Sequence, residues 1–188
     1  MIQRIEEIEE ELIFLQKRKD TVMDLSRNLI RFSGKSITLM HAGEMEKAKT
    51  ILDDVEKQVK QLQKEDKGLE YNSQQAYQEY SEAAVLYSII CHGKIPTDKE
   101  LGVDSISYLL GLLDSVGELK REIFESLRKN NVEKAERLYA FMSEIHDSLM
   151  PLRFSSSLVG ELRKKQDTAR IQLENASSEL LSFRNSVS

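Results

Sequence analysis

The chain has 188 residues, with 40% hydrophobic and 31% charged side chains, no tryptophan and two prolines, Pro96 and Pro151. That is enough for one domain with a real core, 1–188, and too apolar for a disordered chain. A net charge of −5 excludes a global basic field, so any nucleic-acid binding must come from a local patch or a bound metal.

The acidic start, MIQRIEEIEEEL, does not read as a signal peptide, and no apolar run approaches the roughly 18 residues of a membrane span. The single cysteine, Cys91, rules out a disulfide framework and fits a reducing, cytoplasmic setting. Its expected role is packing.

The first helix is expected from Ile2 to Met40 or His41, because Ile2, Ile5, Ile8, Leu12, Leu15, Val22 and Leu25 recur at threes and fours, with Gly43 leaving it. A helix of about 40 residues is some 60 Å long, more than a small bundle covers, so its Glu-rich early part is expected to pack on another subunit. Arg27, Arg31 and Lys35 form a basic stripe on its second half, either a solvated face or a rail for phosphates. The SGKS run at Ser33–Ser36 is no P-loop: Leu29 stands where the first glycine belongs, and no strand precedes it.

A second helix should span Glu44 to about Lys64, with Gly68 breaking the chain after it. The third, Gln74–Cys91, is the centre of the reading. Gln75, Glu79, Glu82, Leu86, Ile89 and Ile90 fall on roughly one face, so two carboxylates share a side that is otherwise apolar. His41 and His92 each precede a helix-ending glycine and read as cations complementing a helix dipole, with metal ligation as the lesser alternative.

Thr97 and Glu100 make a capping box for one short turn, and Asp104 caps the next helix, Ser105 to about Lys129. On that helix Asp114, Glu118 and Arg121 follow the edge of the apolar stripe. Gly117 beside them is expected to admit another backbone or a ligand. Asn130 and Asn131 turn the chain into a helix that ends before Pro151. A last helix is expected over Ser157–Ser182, carrying Leu158, Leu162, Ala169, Leu173, Ala176 and Leu180. Arg163, Lys164, Lys165 and Arg170 give it a second basic surface.

If the two acidic helices face each other, Glu79, Glu82, Asp114 and Glu118 share one pocket. Bare carboxylates would repel by about 4 kcal/mol per close pair, so several stay protonated or a divalent cation neutralises them. All-oxygen ligands suit Mg²⁺ or Mn²⁺, which activate water and steady the leaving oxygen in phosphodiester cleavage, with Arg121 holding the phosphate. The competing reading is a buried ion-pair network with Arg27, Arg31 or Lys120. A ferritin-like di-iron site fails for want of Glu-x-x-His pairs, and a coiled-coil scaffold built on the first helix would show as an elongated shape without metal response.

Three runs, DLSRNLIRFSGKSITLMH (Asp24–His41), QEYSEA (Gln78–Ala83) and YLLGLLDSVGEL (Tyr108–Leu119), resemble the translin family in order and spacing. The resemblance covers nearly the whole chain. It implies an all-α antiparallel bundle of about six to seven helices that assembles into a closed oligomer, an octamer or hexamer, around RNA. Glu79, Glu82, Asp114 and Glu118 match the acids that the translin-associated factor X branch keeps and translin proper lacks. Arg121 and Lys35 match basic positions of that branch. The resemblance thus implies a Mg²⁺- or Mn²⁺-dependent endoribonuclease acting on single-stranded or loosely paired RNA, short duplexes included, with single-stranded DNA as another ligand. Arg27, Arg31, Lys35 and Arg121 would contact the RNA. The alternative is a translin-like protein that binds single-stranded nucleic acid without cutting it. Gly34 departs from the factor X branch, which carries Lys there. The missing basic N-terminal extension and the short central loop point to a stand-alone homo-oligomer.

Overall fold

The computed structural model describes the backbone from residue 2 to 187 and side chains from 3 to 185. The side chain of Ile2, first of the expected apolar positions, therefore lies outside the described residues. Within them the chain forms seven α-helices and one 3-10 turn, without strands. The helices are α1 (Ile2–His41), α2 (Met45–Glu65), α3 (Gln74–His92), α4 (Asp98–Leu101), α5 (Ser105–Arg128), α6 (Val132–Leu149) and α7 (Leu162–Val187). None is long and apolar enough to cross a membrane.

Local chemistry sets the ends. Gly43, Gly68, Gly93 and Gly102 all take positive φ, where a side chain would be strained. Thr97 and Glu100 form the full capping box, and the Asp104 carboxylate accepts from the amides of Ile106 and Ser107. SGKS lies inside α1, as the absence of a P-loop requires.

The last helix differs from expectation. Ser155, Ser156, Ser157 and Gly160 keep the backbone in turns, with Ser155 and Ser157 bonding each other at 2.9 Å, so α7 starts only at Leu162 and runs on to Val187. Leu158 is consequently exposed, while Val159 and Leu162 plug the core.

The core has two parts. Val22 and Leu29 of α1 pack with Val55, Val59 and Leu62 of α2 and with Tyr77 and Tyr80 of α3. Leu86 and Ile89 of α3 pack with Leu113, Val116 and Ile123 of α5, Leu138 and Met142 of α6, and Ala169 and Ala176 of α7. Helix α5 is the hub, in contact with α3, α6 and α7. By contrast, Ile5, Leu12, Ile13, Phe14 and Leu15 on the first half of α1 stay exposed, and Val22 is the first buried residue of that helix among the described side chains.

One glycine brings the acidic helices together, and it is Gly111 rather than Gly117. A Cβ at Gly111 would stand 2.6 Å from Ser81 Cβ and 2.7 Å from the Gln78 carbonyl oxygen, closer than atoms tolerate. Helix α5 therefore lies against the backbone of α3 at the turn holding Gln78, Ser81 and Glu82. Around Gly117 a Cβ would meet nothing within 4 Å, so that glycine opens space instead of closing it.

Candidate functional site: a carboxylate pocket between two helices

The α3–α5 crossing sets Glu79 and Glu82 beside Asp114. All three are partly buried, and their charges are felt mutually. Burial, then Asp114, Glu79 and Glu118, push the Glu82 carboxyl up to about 8. Burial and Asp114 also raise Glu79. These are acids held without enough positive charge.

The cation that does reach them is Lys165 of α7. Its ammonium donates to Asp114 Oδ1 at 2.5 Å, and its charge lowers both Glu79 and Glu82, without offsetting the rise. Gln78 donates to the other oxygen, Asp114 Oδ2, at 2.6 Å. Lys165 and Asp114 are only 19% and 23% exposed, so the bridge sits largely out of water. A cavity of about 190 Å³ opens next to it, between α5 and α7, lined by Asp114, Gly117, Lys164, Lys165, Thr168 and Gln172. The carboxamide oxygen of Gln172 is buried there with no hydrogen-bond partner.

Glu118, one turn beyond Asp114, has another attachment. Its Oε2 accepts from His41 Nε2 at 2.5 Å, and His41 Nδ1 reaches Glu122 Oε2 at 3.2 Å. Lys134 of α6 donates to the second Glu122 oxygen at 2.6 Å. Carboxylates only accept, so an imidazole between two of them carries both protons. The Glu118 and Glu122 bonds accordingly raise His41 to about 9 despite its burial. Glu118 is held low by His41, with burial opposing, and Arg121 adds to the effect. Burial works to raise Glu122, but His41 and Lys134 more than offset it and the net shift is downward. His41 is thus an ion-pair centre joining α1 to α5, not simply a cation at a helix end.

Of the expected basic contacts, Arg121 is exposed and lies near enough to Glu118 and His41 to be felt by both. Arg27 pairs with Asp24 at 3.4 Å, and Arg31 donates to Asn28 and stacks on Phe32. With Lys35, both lie on the exposed side of α1. The counter-ions expected for the acids were Arg27, Arg31 or Lys120. The actual ones are Lys165 and His41, and Lys120 instead lies 5.8 Å over the Phe124 ring. Cys91 is exposed rather than packed.

As the side chains stand, no three His, Cys, Asp or Glu residues among those described converge tightly enough to hold a metal ion. The donor chemistry nonetheless fits a hard divalent cation: all-oxygen ligands, half-buried, under-neutralised, and already gathered around one ammonium. Glu79, Glu82 and Asp114 are the residues that would hold it.

Residues 2–178 match the model of the translin family. The chain is 31% identical to an uncharacterised protein of Methanocaldococcus jannaschii over 169 residues, which is 88% of this chain and 76% of the relative. Among solved structures, AfC3PO in complex with duplex RNA superposes with a TM-score of 0.92 at 29% identity, over 97% of both chains. AfC3PO alone gives 0.89 at 30% identity, over 97% of this chain and 98% of that one. Apo-NeC3PO gives 0.88 at 26%, with the same coverage.

Proposed function

The chain belongs to the translin family, and on that premise we propose that it is a metal-dependent endoribonuclease of the translin-associated factor X branch. Its substrates are single-stranded or loosely paired RNA, and it works as a homo-oligomer, an octamer or hexamer, in the cytoplasm. The observation that carries this reading is the excess of buried carboxyl groups over cations where α3 crosses α5: Glu79, Glu82 and Asp114 against the single ammonium of Lys165, so that Glu82 keeps its proton for want of a cation. A purely structural cluster would gain nothing from keeping Glu82 at about 8.

Glu79, Glu82 and Asp114 would hold Mg²⁺ or Mn²⁺. When bound, the ion supplies an activated water and charge stabilisation at the scissile phosphate. The protein's own part is orientation. Gln78 fixes the plane of the Asp114 carboxylate, and His41 fixes Glu118, whose charge borders the pocket without being needed as a direct ligand. Arg121, exposed beside Glu118, offers a guanidinium to an incoming phosphate, and Arg27, Arg31 and Lys35 extend that attraction along α1. The likeness to AfC3PO, solved with duplex RNA, supports RNA, short duplexes included, as the ligand. The exposed Ile5, Leu12, Ile13, Phe14 and Leu15 on α1 supply an apolar surface for a neighbouring subunit.

Metal-stripped protein given Mn²⁺ or Mg²⁺ and end-labelled single-stranded RNA tests the proposal. Cleavage is expected, and Glu82→Gln is expected to abolish it. Cleavage persisting in that variant overturns the assignment of the pocket. One observation favours a second reading, an RNA-binding protein without turnover: the Lys165–Asp114 bridge already satisfies part of the acid charge. In that case RNA binds equally well in EDTA and stays whole.

A further inference from the structure

Lys165 is the group in the pocket that the metal reading leaves without a role. Each oxygen of Asp114 already accepts one hydrogen bond, one from Lys165 and one from Gln78, so a cation that ligates Asp114 meets the ammonium's positive charge at the same carboxylate. A single ammonium does not suffice to ionise all three carboxyl groups, whereas a divalent ion brings twice its charge to the same oxygens.

The lysine is placed to leave. It sits in the first turn of α7, on a flexible four-carbon stem, beside the cavity lined by Gly117, Thr168 and Gln172. Gly117 leaves that side open, since no atom beyond its own turn of helix lies within 4 Å of where its Cβ would be. The cavity of about 190 Å³ on that side offers room for the ammonium once it leaves Asp114.

We infer that Lys165 is a built-in counter-cation which closes the carboxylate pocket in the metal-free protein and is displaced from Asp114 when a divalent ion enters. The inference rests on the metal reading above, and it adds a competition within the chain itself. Metal affinity is set partly by the cost of expelling Lys165, and the empty pocket stays folded because Lys165 occupies it.

The test uses the native protein. Brief acetylation of surface amines in EDTA or in Mn²⁺, mapped by mass spectrometry, reads the exposure of each lysine, while electron paramagnetic resonance counts bound Mn²⁺ in the same samples. Lys165 is expected to react slowly in EDTA and severalfold faster with Mn²⁺. Lys164, exposed in the metal-free chain, serves as the internal control and should change little. In parallel, Lys165→Met should bind Mn²⁺ at least about tenfold more tightly than the native protein, as expected when a competing charge is removed. Bound Mn²⁺ with Lys165 still protected, or Lys165→Met binding no more tightly, overturns the displacement and leaves the metal site standing. No bound Mn²⁺ in either protein overturns the metal reading and the displacement together.

Discussion

Two acidic clusters share helix α5, one turn apart, and they have opposite electrostatics. Around Asp114, three carboxylates face one ammonium, and Glu82 is pushed up to about 8. Around Glu118, two carboxylates face the His41 imidazolium and the Lys134 ammonium, and both acids are held below their usual range. The second cluster is balanced and ties α1, α5 and α6 together. The first is unbalanced, and the imbalance is what a cation would relieve. Similar residue types on one helix edge are thus left short of positive charge in one place and fully paired in the other.

The most direct way to break this comparison is to remove one ionised group from each cluster and measure both properties. Asp114→Asn should reduce RNA cleavage by at least about a hundredfold, the scale seen when a group acting on the reacting centre is lost, while its cost in stability stays below that of His41→Leu because Glu79 and Glu82 still face Lys165. His41→Leu should do the reverse to the fold. It leaves Glu118 and Glu122 without their shared donor, at a cost of about 3 kcal/mol in urea unfolding. If the cleavage loss were the larger effect of His41→Leu and stability the larger effect of Asp114→Asn, the two roles would be exchanged.

The pH dependence sharpens it. His41 is raised to about 9, so its contribution to stability is complete below its usual value of 6.5 and is lost as pH rises through 9. Glu118 and Glu122 are lowered, so theirs is present above 4.5 and is lost as pH falls. Native protein should therefore lose stability on the alkaline side, and His41→Leu should lack that loss.

Gly111→Ala should come next, at about 2 kcal/mol, because its Cβ would press on the α3 backbone and force the helices apart. Mn²⁺ affinity should fall with it.

The smallest effect is expected from Glu82→Gln on stability without metal. Native Glu82 is raised, so its proton is retained on folding and stability falls as pH rises from 4.5 to about 8. The glutamine removes that penalty, giving a gain of about 1–2 kcal/mol at pH 8 and none at pH 4, after allowance for solvent screening. Denaturation at the two pH values checks it.

Much of the fold was legible. Helix periodicity and the Thr97 and Asp104 caps set the ends of α1, α2, α3 and α5 close to where they lie, because these signals act within a turn of the residues that carry them. The start of α7 was missed because the apolar pattern reads back from Leu180 through Gly160 to Leu158, while the bonding of Ser155 with Ser157 and the turn that follows hold off helical order until Leu162. Glu79, Glu82 and Asp114 were legible as acids on otherwise apolar faces. Gly111 was not, since a glycine in YLLGLL gives no sign of which helix crosses it.

The sequence by itself determined which segments are helical and on which faces the acids stand, because both follow from a repeat of 3.6 residues along one strand of covalent bonds. Only the tertiary structure decided which cation each acid receives. Lys165 reaches Asp114 across 51 residues and His41 reaches Glu118 across 77. The charge balance that separates a candidate catalytic pocket from a structural ion pair is a sum over side chains within a few ångströms of each other in space, and no spacing along the chain encodes it.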